Sequence, residues 1–223
     1  MILLGIVGTP SAGKSTVARF LADLGAEWIN ADLIARDCLH QTAVRDRLVE
    51  HFSDAILNAQ GEVDRSAVAE RVFGDTIEKR AALEFLESVI HPIVRQKITD
   101  RLIDAASKRT KVALLDVPLL FESGWDRCCD AIWCVDAPPQ IRLARTAKRG
   151  WDSEELSRRE SNQLSISTKK RLSNQIMRND STLESLHEKL RTAWHQLDTI
   201  EGGGNTRRYS SSPSHCLTDI SSP

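Results

Sequence analysis

Short apolar runs alternate with longer amphipathic segments over most of the chain. The apolar runs predict buried β-strands at 2–7, 27–30, 111–116, 131–135 and 175–178. The segments between them place apolar residues three or four positions apart, as helices that bury one face do. Strands that alternate with helices predict an α/β fold, a five-stranded parallel sheet flanked by helices on both faces.

The stretch from 42 to about 107 has no convincing strand and is helical in pattern. We predict helices at 42–52, 65–73 and 76–90, followed by a further helix that ends near the close of the stretch. An interruption is expected at His91-Pro92, because proline has no N–H to donate and its ring crowds the preceding turn. We interpret the whole stretch as a helical insertion between the second and third strands.

Further helices are predicted outside this insertion. They cover 15–24, a segment from Asp32, a segment from Pro138, 153–163 and 182–197. The last of them is amphipathic and is expected to close the fold. From Gly202 the sequence turns to glycine, serine, proline and threonine, so 201–223 is predicted to be a disordered tail.

The segment 8–15 matches the pattern G-x-x-x-x-G-K-[ST], with Gly8, Gly13, Lys14 and Ser15 at its fixed positions. A predicted strand precedes it and a predicted helix follows it, which is the context that a phosphate-binding loop needs. Backbone N–H groups of such a loop, together with the helix N-terminus, bind phosphate oxygens. Lys14 would reach the β and γ phosphates and the Ser15 hydroxyl would hold Mg²⁺, so the segment predicts binding of a nucleoside triphosphate.

Two positions inside this loop are unusual. Pro10 removes one N–H donor and has a fixed φ. Ala12 is less permissive than glycine if the loop needs a positive φ at that position. Neither residue removes Lys14 or Ser15, so both are expected to tighten the loop and leave its chemistry in place.

Carboxylates follow two of the predicted strands. Asp32 comes after the second strand, and the carboxyl ends of parallel strands line the ligand crevice, so it is expected on the same edge as the phosphate loop. It could accept the proton of an attacking hydroxyl or help to hold Mg²⁺, and it is equally well suited to cap a helix. Arg36, four residues on, could pair with it or bind an anionic substrate. Asp116 could be a second carboxylate on the metal side or a simple turn residue.

Basic side chains cluster in the second half of the chain. Arg145 and Arg149 are four apart on one predicted helix face, as on the mobile lids that bring arginines over a transferring phosphoryl group. The group 169–171 is also basic, and a solvated charged face explains it as well as a ligand site does. His91 could contact substrate or be structural.

Composition limits the remaining function classes. The 223 residues carry a net charge of −1, so there is no global basic field to suggest a nucleic-acid partner. We expect no membrane span, because no run of about 18 apolar residues occurs, and no signal peptide, because the first residues lack a basic segment. The cysteine spacing fits no zinc pattern, Cys134 lies in an apolar run, and a reducing cytoplasm fits best.

Several specific segments occur in a recognisable order. They are the phosphate loop, Asp32-Leu33-Ile34-Ala35-Arg36, His91-Pro92, Asp116-Val117-Pro118-Leu119-Leu120-Phe121-Glu122, 135–145 with Arg149, Gln163, 169–171 and Asn179-Asp180. With these segments the chain resembles the dephospho-coenzyme A kinase family from Leu3 to about Leu197. The resemblance implies a P-loop kinase fold that transfers the γ-phosphate of ATP to the ribose 3′-hydroxyl of dephospho-coenzyme A. The products would be coenzyme A and ADP, at the last step of coenzyme A synthesis.

The resemblance also implies roles for single residues. Catalytic roles fall to Asp32 as the base, Lys14 and Arg145. Residues implied to bind the nucleotide, with Asn179 near the adenine, are Gly8, Ser11, Ala12, Gly13, Lys14, Ser15, Thr16, Arg145 and Asn179. Residues implied to bind the acceptor substrate are Asp32, Arg36, His91, Leu119 and Arg149. Mg²⁺ would be held by Ser15, with Asp116 as a further candidate.

The family implies one domain over 1–200 in three parts. The nucleotide core would comprise 1–41, 110–144 and 172–200, with a helical coenzyme A-binding insertion at 42–109 and a lid at 145–171. No obligate protein partner is inferred. The chain departs from the family at 9–12, where loops are usually richer in glycine, and at Gly150, Asn174 and Ser181.

Three other readings compete with this one. Another small-molecule P-loop kinase, of the nucleoside monophosphate or shikimate type, would share the loop, the lid and the fold. The segment 32–36 and the helical insertion fit the coenzyme A precursor better. A GTP-binding switch protein would need an Asn-Lys-x-Asp segment, and the sequence has none. The intact Lys14, Ser15, Asp32 and Arg145 argue against an inactive partner subunit.

Overall fold

The computed structural model describes residues 1–147, 150, 152–161 and 163–197. Within them the strands are β1 (Ile2–Gly8), β2 (Glu27–Asn30), β3 (Val112–Asp116), β4 (Ala131–Asp136) and β5 (Gln175–Arg178). The helices are α1 (Lys14–Asp23), α2 (Ala31–Cys38), α3 (Thr42–Phe52), α4 (Arg65–Val72), α5 (Ile77–Ser107), α6 (Pro139–Ala147), α7 (Ser153–Ser161), α8 (Ile166–Leu172) and α9 (Leu183–Leu197). Residues 201–223, predicted to be disordered, lie outside the described residues.

The chain divides into two compact units. One joins Met1–Asn30 to the chain from Ile103 onward, and the other comprises Ala31–Leu102. All five strands belong to the first unit. They form one parallel sheet in the order β2-β3-β1-β4-β5, which confirms the predicted fold.

The central strand β1 is buried along its whole length and pairs with β3 on one side and β4 on the other. At its start, the Leu3 amide donates to Asp130 Oδ2 at 2.7 Å, and the Asp130 amide donates back to the Leu3 carbonyl at 2.8 Å. This two-way pairing fixes where β4 begins relative to β1. The register then brings the ends of β1 and β4 level, so that Gly8 lies opposite Val135.

One face of the sheet is covered by α1 and α9. Their buried side chains form a single apolar cluster with the sheet: Val17 and Leu21 from α1, and Leu186 and Leu190 from α9. The amphipathic pattern of the last helix predicted this packing. Because α1 is held against the sheet in this way, its N-terminus is fixed at the carboxyl end of β1.

The second unit is helical and contains α2, α3, α4 and most of α5. The predicted interruption at His91-Pro92 is wrong, because α5 runs without a break through Pro92. Pro92 and Ser88 are both exposed, so water can bond the Ser88 carbonyl that the proline cannot serve. The buried face continues across the proline with one apolar side chain per turn: Ile90, Val94, Ile98 and Leu102.

Among the described residues, no helix combines the length and the apolar character that crossing a membrane requires.

Candidate active site

The loop that follows β1 approaches other backbone and side chains too closely for any residue but glycine at two positions. A Cβ placed on Gly8 would lie 2.5 Å from the carbonyl oxygen of Val135. A Cβ placed on Gly13 would lie 2.2 Å from Asn179 Nδ2, and Gly13 also has φ +103°, in the left-handed region. The two glycines of the sequence pattern are therefore required by contact as well as by conformation.

Ala12, one of the two unusual loop residues, takes a position that suits it. The positive φ of the loop interior falls on Ser11, at +61°, and Ala12 does not share it. Ala12 is instead buried in the apolar cluster under the loop. Position 12 therefore does not require glycine. The backbone strain of a positive φ falls on Ser11 instead.

Polar groups of the loop are available to a ligand. Among the described residues, the buried hydroxyls of Thr9 and Ser11 have no hydrogen-bond partner. In the first turn of α1, the amides of Thr16 and Val17 donate to the Gly13 carbonyl at 3.0 and 3.1 Å. The amides of Lys14 and Ser15, the first two residues of the helix, precede these bonds and have no acceptor within the helix. Buried hydroxyls are normally paired, so this set of unmatched polar groups fits an anionic ligand such as a polyphosphate.

Arg145 and Asn179 bracket the loop from α6 and from the end of β5. Arg145 Nη1 donates to the Ala12 carbonyl at 3.1 Å and to the Ser11 carbonyl at 3.4 Å. Asn179 Nδ2 donates to the same Ala12 carbonyl at 2.8 Å, and its Oδ1 accepts from Arg145 Nη2 at 3.1 Å. Burial lowers the pKa of Arg145 from its ordinary value. Because that ordinary value is very high, the guanidinium stays charged at neutral pH.

A cavity of about 400 Å³ opens beside these groups and is lined by Ser11, Gly13, Thr16, Arg145, Asn179, Ser181 and Leu183. The first five were predicted to bind the nucleotide. Ser181 is one of the departures from the family, and Leu183 is the first residue of α9. The cavity thus collects residues from three separate places in the chain, 11–16, Arg145 and 179–183.

A second group of charges lies around the end of β4. Lys170 Nζ forms an ion pair with Asp136 Oδ2 at 2.6 Å, and Lys169 Nζ donates to Gln163 Oε1 at 2.6 Å. Lys169 is buried, with 2% of its surface exposed, so the reading of 169–171 as a solvated face fails for this residue. No pattern in the sequence distinguishes it from its two basic neighbours.

Two other candidates of the first unit, Asp116 and Leu119, lie at the end of β3 and in the segment that follows it. Asp116 is the last residue of β3, where the register places it opposite Asn30, and it is 7% exposed. Leu119, predicted to contact substrate, is 40% exposed. Asp116 is thus a buried carboxylate at the carboxyl end of the sheet, while Leu119 offers an apolar surface to solvent.

Three candidates belong to the second unit. Asp32 lies in the first turn of α2 and Arg36 in its last, and both are exposed. His91 is exposed on α5. Arg149, the remaining candidate for substrate binding, lies outside the described residues.

Two departures from the family are accommodated by the structure. Asn174 Oδ1 accepts from the Ile132 amide at 2.7 Å, which is a bond that an aspartate could accept in the same way. Gly150 has φ +73° and its amide donates to the Ala147 carbonyl at 3.1 Å. The glycine there suits a left-handed turn at the end of α6.

Comparison with known proteins agrees with this geometry and confirms the resemblance. The sequence model of the family "Dephospho-CoA kinase" matches residues 2–185. A dephospho-CoA kinase of Rhodopirellula baltica is 41% identical over 184 residues, which cover 82% of this chain and 85% of that protein. The crystal structure of TT1252 from Thermus thermophilus has a TM-score of 0.70 at 32% identity, with 88% of this chain and 97% of that chain covered. Dephospho-CoA kinase from Campylobacter jejuni shares the fold, with a TM-score of 0.62 at 20% identity and coverage of 87% and 96%. The chain therefore belongs to the dephospho-CoA kinase family.

Proposed function

We propose that this protein transfers the γ-phosphate of ATP to the 3′-hydroxyl of the ribose in dephospho-coenzyme A. The products are coenzyme A and ADP. Family membership over residues 2–185 supports the reaction. The observation that carries it is the phosphate loop, with Lys14 as the first residue of α1 and unmatched hydroxyls at Thr9 and Ser11.

The nucleotide binds at this loop. Amides of the loop and of the first turn of α1 donate to phosphate oxygens, and the Lys14 ammonium neutralises the β and γ phosphates. Arg145 and Asn179 line the adjoining cavity, where they contact the nucleotide. Mg²⁺, when bound, neutralises charge on the transferring group; the Ser15 hydroxyl would hold it, with Asp116 as a further ligand.

The acceptor hydroxyl is activated by Asp32. Its carboxylate takes the proton as the 3′-oxygen forms a bond to the γ-phosphorus, and the bond to the β-phosphate oxygen breaks to release ADP. Arg36, His91, Leu119 and Arg149 bind the acceptor. The site must also stabilise charge on the equatorial phosphate oxygens, which is the task of Lys14 and Arg145.

The test of the reaction is release of ADP by purified protein with ATP and Mg²⁺. Dephospho-coenzyme A, AMP and shikimate are compared with a reaction that has no acceptor, and the product is identified by mass spectrometry. Turnover with dephospho-coenzyme A alone, giving coenzyme A, is the expected result. Turnover with AMP or shikimate alone would support a different small-molecule kinase and discard the proposal. The same assay with EDTA tests the need for Mg²⁺.

The role of Asp32 has its own test. Asp32→Asn should bind ATP normally and lose turnover by about 10²–10⁴-fold, the usual worth of a general base. Asp37→Asn is the matched control, because Asp37 is exposed on the same helix. Near-normal turnover in Asp32→Asn, or an equal loss in Asp37→Asn, would remove Asp32 from this role.

A further inference from the structure

A buried ammonium group lies on α8, the helix that packs against β1 and β4. Lys169 on α8 is 2% exposed, and it is the one buried lysine among the residues that the structure describes. Transferring an ammonium from water to a protein interior is costly unless acceptors or an anion compensate it. In the described part of the chain the Lys169 ammonium donates to a single acceptor, the neutral amide oxygen Gln163 Oε1. Two of its three protons therefore remain for a ligand.

Hydrogen bonds and helix packing fix the position of Lys169 in the first unit. Gln163, its acceptor, precedes Leu164, whose amide donates to Glu122 Oε1 at 2.7 Å. Glu122 follows β3, so this bond ties the segment before α8 to the core of the first unit. The helix itself packs against β1 and β4, the two strands whose carboxyl ends flank the phosphate loop. The helix that carries Lys169 is therefore held against the two strands whose carboxyl ends flank the phosphate loop.

The charges around Lys169 are those of the phosphate site. Burial lowers the pKa of Lys169 and the nearby Lys14 ammonium lowers it further, whereas the Glu122 and Glu160 carboxylates raise it. Both lysines in turn act on the thiol of Cys134, at the end of β4. Two ammonium groups thus act on the same small region, and their mutual repulsion would be relieved by an anion bound between them.

We propose that Lys169 is a second phosphate-binding ammonium, which donates to a phosphate oxygen of the nucleotide bound at Lys14. The inference rests on the proposed function only in that a nucleotide binds at the loop. Gln163 is then a positioning residue that aims the ammonium, and Lys170, paired with Asp136, has no part in binding the anion. Of the basic residues in 169–171, Lys169 would then serve the ligand site, whereas Lys170 pairs with Asp136 at the surface of the core.

The test compares affinities for ADP, inorganic pyrophosphate and adenosine by calorimetry, without any acceptor. Lys169→Met should lose about 10- to 100-fold in affinity for ADP and pyrophosphate and keep its affinity for adenosine, as loss of a charge-assisted hydrogen bond predicts. Lys169→Arg should recover part of the loss. Lys108→Met is the matched control, since Lys108 is exposed at the end of α5 and pairs with Asp104.

A structural role predicts a different pattern. Lys169→Met would then lower the thermal midpoint and leave the ratio of ADP to adenosine affinity unchanged, a result that would overturn the proposal. Gln163→Leu provides a second variant and should weaken ADP binding about 3- to 10-fold without affecting adenosine; no change in it would count against the proposal as well. If the wild type binds ADP but does not phosphorylate dephospho-coenzyme A, the proposed function fails and this comparison still decides the role of Lys169.

Discussion

The contact between Gly13 and Asn179 makes a quantitative prediction for Gly13→Ala. The new Cβ would lie 2.2 Å from Asn179 Nδ2, a distance that real Cβ atoms do not reach. Asn179 would have to move, and its 2.8 Å bond to the Ala12 carbonyl would break. The substitution therefore destabilises the protein in two ways. The new methyl group displaces Asn179 and breaks a buried hydrogen bond, and the backbone at position 13 must hold a residue with a Cβ in the left-handed region.

Each penalty has a known scale. A residue with a Cβ in the left-handed region costs about 1–2 kcal/mol, and an unsatisfied buried polar group costs about 1–3 kcal/mol. Gly13→Ala should thus lower the free energy of unfolding by about 2–5 kcal/mol. For a chain of 223 residues, each kcal/mol shifts the thermal midpoint by about 2–4 °C, so the midpoint should fall by about 4–20 °C.

Gly25→Ala separates the two penalties. Gly25 has φ +102°, almost the same as Gly13, and a Cβ there would meet nothing within 4 Å. Its midpoint should fall by about 2–8 °C, the conformational part alone. Both variants are measured by calorimetry or circular dichroism in the absence of nucleotide. In an Asn179→Ala background the contact is gone, and Gly13→Ala should then cost no more than Gly25→Ala does.

Two results would refute this reasoning. Equal midpoints for Gly13→Ala and Gly25→Ala would mean that the contact with Asn179 costs nothing. An undiminished cost of Gly13→Ala in the Asn179→Ala background would mean that the cost arises elsewhere in the loop.

Other predictions concern the core of the first unit. Leu21→Ala, at a fully buried position of α1, should lower the free energy of unfolding in urea by about 2–5 kcal/mol. Leu143→Ala, at an exposed position, should lower it by less than about 1 kcal/mol, and similar values for the two variants would contradict the packing. Asp130→Ala removes the acceptor of the Leu3 amide and should cost about 1–3 kcal/mol in the same measurement, with no loss if that bond contributes nothing. Burial raises the pKa of Cys134 to about 11, so its thiol stays protonated at pH 8. Iodoacetamide should leave it unmodified in the native protein, as peptide mass mapping would show, and native modification at pH 8 would contradict the burial.

Local patterns were enough to predict the sheet and the phosphate loop. The strands β1, β3 and β4 are short apolar runs with their own boundaries, and Gly13-Lys14-Ser15 is a contiguous signal in a strand–loop–helix context. The order of the motifs then led to the family. These features need no knowledge of distant contacts, which is why the sequence sufficed for them.

The errors have a common physical origin. At Pro92 a local rule predicted a break, but the side chain is exposed and the buried face of α5 continues past it, so packing outweighed one lost hydrogen bond. At Lys169 the sequence offers three adjacent basic residues, and only the packing of α8 on the sheet decides which one is buried. In both cases burial, a property of the assembled molecule, determined the outcome.

The place of β1 in the sheet has a consequence for biosynthesis. This strand is synthesised before its partners, which lie far downstream: Ile2 pairs with Val112 and Leu4 with Ala131. Its seven buried residues therefore cannot pair with β3 and β4 until those strands have been made. The unit Ala31–Leu102 is complete in sequence well before that point and can fold during the delay. The phosphate loop, although it is synthesised before β3 and β4, gains its binding geometry only after β4 has emerged.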